Sequence, residues 1–271
     1  MVHQEFDPPE QLRDAIKCFW YNKRDFGASE STFEVMPDGY AEIIFHFGNP
    51  CNVVHNGGLQ PLRSPCIMGL LNQPVALITK GCFEVVGIRC YPWTVFDLLG
   101  LAAAKHSIHI FDHPIAQLQS DLDKCLRAGR LDEAISLVRE YFLEARKPIN
   151  ADNTLSKAGT AMAEANGTLP VSQVAAAAHA TVRTLERKFK QSSGYSVKDV
   201  SGLMRFEQVR NHLWLDPECN LAGLAHELGY ADQAHLSKEF KRYSGTTPAA
   251  FARKAKNGKP LTGHKPRDGK E

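Results

Sequence analysis

The sequence has no hydrophobic run long enough to cross a bilayer, because no stretch of about 18 uncharged apolar residues occurs in its 271 residues. Residues 1–5 also lack the pattern of a basic segment followed by an apolar one, so we expect no secretory leader. Both absences favour a cytoplasmic protein without a membrane partner.

Nucleotide-binding and hydrolase signatures are absent as well. There is no Walker-type loop, no G-x-G-x-x-G and no G-x-S-x-G. The seven cysteines are odd in number, and no two are spaced C-x-x-C, which is typical of reduced thiols in a cytoplasm. We therefore expect no catalytic residue and no cofactor.

Histidines are the remaining candidates for a metal site. His106, His109 and His113 have helix-like spacing, and His46 and His55 lie in a β-rich region. Pro114 disfavours helix at His113, so the first three would not share one helical face. The H-x-H…E set of metal-binding cupins is also missing, and we expect no metal.

Charge is divided unevenly along the chain. Residues 1–167 carry 15 Lys and Arg against 20 Asp and Glu, whereas residues 168–256 carry 13 against 8. A basic C-terminal part predicts contact with a polyanion, although a solvated basic surface would give the same count.

Hydrophobic periodicity changes along the chain and predicts an α+β protein. Residues 33–92 are β-rich, with strands expected at 40–47, 75–79 and 83–90. Apolar residues at helical spacing between 116 and 146, interrupted by Gly129, predict two helices that either form a dimer seam or pack on their own domain. We expect an N-terminal α+β domain (1–147), a linker (148–154), an all-α domain (155–256) and a disordered tail (257–271).

Residues 171–256 contain a repeat with a period of 51. Leu185, Phe189, Lys190, Ser193 and Gly194 recur as Leu236, Phe240, Lys241, Ser244 and Gly245. Upstream, the same period matches Val174 to Ala225 and Ala177 to Leu228. Each copy predicts a helix-turn-helix, with a second helix beginning at an N-cap residue, Thr181 or Asp232.

The outward residues of the two second helices are of types that read base edges or hold phosphates. They are Arg183, Thr184, Glu186, Arg187 and Lys190 in the first copy, and Gln233, His235, Ser237, Lys238, Lys241 and Arg242 in the second. Residues 196–215 predict a connecting helix that ends before Asp216 and Pro217. A helix of about 20 residues is roughly 30 Å long, close to one turn of B-DNA, so both second helices could enter successive major grooves.

These residues resemble the C-terminal signature of AraC/XylS-type transcription regulators. The resemblance covers roughly 155–255 and rests on GY at 229–230, DQAHLSKEFKR at 232–242 and GTTPAAFAR at 245–253. His179 departs from the glycine usual in the first turn, and Ala234 and Glu186 are unusual base readers. The resemblance implies duplex DNA as a partner, with RNA polymerase as a candidate partner, since members commonly activate by contacting it.

The N-terminal part resembles the sensory domain of one subgroup of these regulators. The resemblance rests on Pro37-Asp38-Gly39, on EIIF at 42–45 and on GIRCYP at 87–92. It implies a small cupin-like β-barrel or sandwich followed by helices that often dimerise. We expect Arg89, with His46 and Tyr40, to bind an anionic small-molecule effector, the alternative for Arg89 being a structural ion pair with Glu42 or Glu84.

The sequence therefore predicts a DNA-binding transcription regulator, modulated by an effector, that reads two successive major grooves. The alternative is a small-molecule or protein sensor whose DNA binding is weakened. Alkyl-transfer DNA-repair enzymes carry the same DNA-binding domain behind a four-cysteine zinc site. Here Cys51, Cys66, Cys82 and Cys90 lie 15, 16 and 8 residues apart, which does not match such a site.

Overall fold

A computed structural model describes residues 2–55, 58–103, 108–145 and 153–256. Its strands are β1 (Val2–Phe6), β2 (Ile16–Asp25), β3 (Ser31–Val35), β4 (Ala41–Gly48), β5 (Cys51–His55), β6 (Gly58–Pro61), β7 (Cys66–Met68), β8 (Val75–Thr79), β9 (Cys82–Cys90) and β10 (Ile108–Ile110). Its helices are α1 (Val95–Leu98), α2 (Leu118–Arg127), α3 (Leu131–Ala145), α4 (Asn153–Glu164), α5 (Val171–Ala177), α6 (Val182–Ser193), α7 (Val197–Leu215), α8 (Leu221–Glu227), α9 (Gln233–Ser244) and α10 (Pro248–Lys256). Two short 3-10 helices span Glu10–Leu12 and Pro114–Gln117.

The N-terminal half is a layered antiparallel β structure. One sheet has the order β1-β2-β9-β4-β7-β10 and the other has the order β3-β8-β5-β6. In β4 and β9, side chains that alternate along the strand point to opposite layers. Ile44 and Val85 pack between the two sheets, whereas Ile43 and Ile88 pack against the helices on the outer face. Both faces of these strands are therefore buried.

Helices α2 and α3 cover that outer face. Leu122 and Cys125 of α2, and Val138 and Phe142 of α3, are buried with the sheet residues Phe45 and Ile88 in one cluster. The apolar stripes of the two helices thus pack on their own domain, which is one of the two alternatives that the sequence left open. The three predicted strands correspond to β4, β8 and β9, the two helices lie where the periodicity predicted them, and the α+β class is confirmed. The sequence did not predict β1, β2 and β10, which lie outside residues 33–92.

The C-terminal half is all helical and has its own core around Phe189, Phe206 and Phe240. Met36, Leu70 and Trp93 of the N-terminal half join this core, so the two halves share a packed interface. The predicted tail and most of the predicted linker lie outside the described residues. Within the described ranges, no helix is both long and apolar enough to cross a membrane.

Candidate nucleic-acid interface

Two helix-turn-helix units stand in the C-terminal half, α5 with α6 and α8 with α9. The first helix of each unit ends in the same hydrogen bonds. The Ala180 amide donates to the Ala175 carbonyl at 2.9 Å, and the Tyr230 amide donates to the Ala225 carbonyl at 2.9 Å. These bonds are those of a Schellman cap, which satisfies carbonyls left free at a helix end.

The caps correct the predicted alignment of the first helices. Their equivalent residues are 50 positions apart, not 51, because Ala178 is buried where Leu228 is buried, whereas Ala177 is exposed. The second helices keep the offset of 51. The turn of the second unit therefore contains one more residue than the turn of the first, which is why a single period failed upstream of it.

The residue after each first helix adopts a left-handed conformation. His179 has φ +50° and its equivalent Gly229 has φ +70°. Glycine adopts this conformation without strain, whereas a residue with a Cβ does so at a cost. The first turn thus has the glycine conformation with a histidine in its place.

Both second helices, α6 and α9, begin and end alike. The hydroxyl of Thr181 accepts from the Thr184 amide at 3.2 Å, and the carboxylate of Asp232 accepts from the His235 amide at 2.7 Å. Each helix ends at a left-handed glycine, Gly194 or Gly245. The predicted N-caps are confirmed, and α6 and α9 are held as equivalent rigid elements.

Most of the predicted DNA-binding side chains are exposed on these two helices. They are Arg183, Arg187 and Lys190 on α6, and Gln233, His235, Lys238, Lys241 and Arg242 on α9. Thr184 and Ser237 are partly covered. The buried faces of the same helices hold Leu185, Phe189, Leu236 and Phe240, so each helix offers one polar face to solvent.

Glu186 has a structural contact that the sequence did not indicate. Its carboxylate accepts from the amide of Val197 at 3.3 Å, at the first turn of α7. A carboxylate is favourable there because the first amides of a helix lack partners within it. Helix α7 itself begins with a capping box in which Ser196 and Asp199 bond each other's backbone amides.

Helix α7 connects the two units and spans 19 residues, about 28 Å at 1.5 Å per residue. It begins at Val197 and ends at Leu215, as the sequence predicted for 196–215. Two of its side chains reach the N-terminal half. Arg210 donates to the carbonyl of Pro37 at 3.1 Å, and Glu207 lies 3.7 Å from the guanidinium of Arg89.

Arg89 lies in a buried ionic cluster at this interface. Its guanidinium is 2.5 Å from Asp38 and 3.7 Å from Glu42, and it lies over the ring of Tyr40 at 4.4 Å. Burial lowers the pKa of Arg89, but the surrounding carboxylates raise it overall. Burial also raises the pKa of Glu42, against the opposing effect of Arg89.

The three predicted effector residues are not brought together as one site. Arg89 and Tyr40 are in contact, and the pairing of Arg89 with Glu42 is the structural alternative named above. Glu84 instead accepts from the Tyr21 hydroxyl at 2.5 Å and lies 3.3 Å from Lys23. His46 lies apart from the cluster, with its Nε2 2.8 Å from the carbonyl of Leu62, and burial lowers its pKa.

The histidines weighed as metal ligands have other surroundings. His109 lies on β10 and stacks on Phe111, with ring centres 6.2 Å apart. His113 accepts from the Ile115 amide at the start of a 3-10 helix, and His106 lies outside the described residues. Among the residues with described positions, no group of three His, Cys, Asp or Glu is placed to hold a metal ion.

The two halves of the chain match different protein families. Residues 174–254 match a family described as a helix-turn-helix domain, and residues 4–109 match a domain of unknown function. The Msm operon regulatory protein of Streptococcus mutans is 23% identical over 129 residues, which are 48% of this chain and 42% of that protein. The chain therefore spans less than half the length of this curated relative.

Solved structures resemble the chain more distantly. ToxT from Vibrio cholerae O395 is 11% identical with a TM-score of 0.47, over 87% of this chain and 97% of that chain. An AraC-type DNA-binding domain protein from Chromobacterium violaceum is 20% identical with a TM-score of 0.35, over 38% and 91% of the two chains. The family match covers most of the two units described above, and the C-terminal half of the chain is similar to AraC-type helix-turn-helix domains.

Proposed function

We propose that the chain is a sequence-specific DNA-binding transcription regulator in which α6 and α9 enter successive major grooves on one face of the duplex. The observation that carries the proposal is the pairing of two equivalent polar helices on one connecting helix of 19 residues. The connecting helix is about 28 Å long, which approaches one turn of B-DNA, about 34 Å, and this supports the proposal. The proposed role involves no catalysis, and it places the chain in the cytoplasm with its DNA.

The two units follow each other in the same chain direction, which supports half-sites arranged as a direct repeat. A two-fold dimer of single units would require inverted half-sites instead. Base reading is proposed for Arg183 and Arg187, because Arg pairs bidentately with guanine, and for Gln233, because Gln pairs with adenine. Lys190 and Lys241 lie near the ends of their helices and are proposed to hold phosphates.

The domain limits of 1–147 and 155–256 are part of the same proposal. The helical core includes Leu155 near its start and Ala252 near its end, which supports the second range. The N-terminal half is proposed to sense a small molecule and to transmit its state through the interface with α7. Contacts with RNA polymerase and with a second copy of the chain remain predictions from the family resemblance.

The test is selection of duplexes from a random pool by the full-length protein, followed by footprinting of the selected site. We expect two protected segments about one helical turn apart, and log K should fall linearly with log salt as phosphate counterions are released. Insertion of about five base pairs between the segments rotates one of them by half a turn, which a rigid α7 cannot follow.

Unchanged affinity after the insertion would show that a single helix is engaged. Failure to select any sequence at low salt would favour the alternative function, a small-molecule or protein sensor with weakened DNA binding. His179 is the residue that favours this alternative, because its left-handed conformation falls in the turn that orients α6.

A further inference from the structure

Arg205, near the middle of α7, contacts three separate parts of the DNA-binding half. Its guanidinium donates to the carbonyl of Gly167 at 2.9 Å and to the two carboxylate oxygens of Glu239 at 3.1 and 3.3 Å. The same group lies 5.3 Å from the centre of the Tyr230 ring. Gly167 precedes the first unit, Tyr230 lies in the turn of the second, and Glu239 lies on α9.

The geometry of these contacts restricts rotation as well as distance. Nη2 donates to both oxygens of Glu239 and Nη1 donates to the carbonyl of Gly167, so one planar guanidinium bonds two partners in directions that its rigid geometry sets. The side chains of Arg205 and Glu239 are each only 15% exposed, so solvent and salt screen the pair less than a surface ion pair. The contact therefore holds α9 at one orientation relative to α7.

Close packing brings α7 against the segment before α5 and against α9 at neighbouring positions. A Cβ added to Gly167, which has φ +72°, would lie 2.4 Å from the carbonyl oxygen of Ser201. On the neighbouring residue, a Cβ added to Gly202 would lie 2.8 Å from the hydroxyl of Tyr243 on α9. Arg205 follows about one turn later on α7, and its side chain bonds both the Gly167 segment and α9.

The corresponding position of the first unit has a different contact. The position of α6 that matches Glu239 is Lys188, whose ammonium lies 3.3 Å from the hydroxyl of Thr154 on α4. Helix α6 thus contacts α4 through Lys188 and the first turn of α7 through Glu186, whereas α9 contacts the middle of α7 through Glu239. The angle between α6 and α9 therefore depends on the contact between Arg205 and Glu239.

We infer that Arg205 is a positioning residue that fixes the angle between the two recognition helices through Glu239, and thereby sets which spacing of half-sites the protein accepts. The inference rests on the proposed function, since it concerns how two half-sites are read together. When two binding elements are held in the correct relative orientation, the second binds as an intramolecular step and the ordering cost is lower.

The experiment uses the full-length protein and three duplex probes. The first is the selected operator, the second carries about five additional base pairs between the half-sites, and the third keeps only the half-site read by α6. The variants are Arg205→Gln, Arg205→Lys, Glu239→Gln and the double variant Arg205→Gln/Glu239→Gln. The control is Arg253→Gln, which also removes one positive charge, on the exposed surface of α10.

We expect Arg205→Gln to lose about tenfold or more in affinity for the operator while its affinity for the single half-site changes little. In the same variant, the ratio of the affinity for the operator to the affinity for the probe with the insertion should fall. Glu239→Gln should behave likewise, and the double variant should lose no more than either single variant. Arg253→Gln should keep the ratio of the wild-type protein.

An equal loss on all three probes would overturn the inference, because it would indicate a general effect on charge or folding. The inference would also be overturned if Arg205→Gln had the same ratio of affinities for the operator and the inserted probe as the wild-type protein. If Arg205→Gln does not fold, as judged by circular dichroism, Arg205→Lys and Glu239→Gln give the same comparison with the charge of position 205 retained. Insensitivity of the wild-type protein to the insertion would instead refute tandem reading itself, together with the role of Arg205 in it.

Discussion

The turns of the two units allow a matched test of what a left-handed residue costs. His179 and Gly229 follow their helices in equivalent positions, with φ +50° and +70° and the same cap hydrogen bonds. A Cβ added to Gly229 would meet nothing closer than Thr168 at 3.6 Å, which is ordinary contact. The effect of Gly229→Ala is therefore the backbone effect alone, without a steric clash.

The magnitude follows from two opposing contributions. A left-handed residue with a Cβ costs about 1–2 kcal/mol, whereas replacing glycine with alanine lowers the entropy of the unfolded chain and returns about 0.4–1 kcal/mol. We expect Gly229→Ala to lower the free energy of unfolding by roughly 1 kcal/mol. His179→Gly should raise it by roughly 0.5 kcal/mol, the smaller figure because histidine tolerates this conformation better than most residues.

Urea unfolding of the full-length variants, followed by circular dichroism and by tryptophan fluorescence, measures both changes. The midpoint should shift in opposite directions for the two variants, with the slope unchanged. A loss of stability in His179→Gly would refute the reasoning, because it would mean that the histidine side chain stabilises the turn by more than its conformation costs. A gain in Gly229→Ala would refute it equally.

Three further predictions concern binding, the interface and pH. Arg183→Ala should cost about 1–3 kcal/mol in binding free energy and relax the base preference at one or two base pairs. Lys241→Ala should weaken binding to all sequences alike and reduce the slope of log K against log salt by about one. Selection followed by titration at several salt concentrations tests both, and a uniform loss of affinity in both variants would contradict the assignment. Arg89→Met should lower the free energy of unfolding by about 3–5 kcal/mol, because it removes the buried cation beside Asp38 and Glu42, whereas Glu207 keeps Arg210. A change below about 1 kcal/mol in urea unfolding would count against that account. Because burial lowers the pKa of His46 below its usual value of 6.5, the unfolded chain takes up a proton first as the pH falls, so stability drops below about pH 6.5. His46→Gln should lose less stability than the wild-type protein between about pH 7 and 5.5, and equal losses would show that other groups cause the acid effect.

Local chemistry made much of the fold predictable from the sequence. Thr181 and Asp232 begin their helices because their short polar side chains bond free amides, and Gly194 and Gly245 end them because glycine adopts positive φ. Strand β8 coincides with the predicted residues 75–79 because its β-branched residues are bounded by turns. These signals lie within a few residues of the structure that they determine.

Contacts between residues that are far apart in the sequence were harder to predict. The prediction considered Glu42 and Glu84 as ion-pair partners of Arg89, yet the cluster around Arg89 contains Asp38 and Glu207 in addition to Glu42. Glu207 lies 118 residues away in sequence, in the other half of the chain, and no periodicity relates the two positions. In the same way, the carboxylate of Glu186 was assigned to DNA from its place on α6, whereas its bond to Val197 depends on how α7 begins.

Helix α7 is the element through which the N-terminal half could influence both DNA-binding units. Arg205 and Glu207 are two positions apart, so their side chains leave the helix about 200° from each other. Arg205 contacts the second unit on one side, and Glu207 meets the Arg89 cluster of the N-terminal half on the other. A rotation or shift of α7 that weakened the Glu207 contact would therefore also move Arg205 against Glu239. Because the two contacts share one helix, a change in the N-terminal half needs no separate route to alter the angle between α6 and α9.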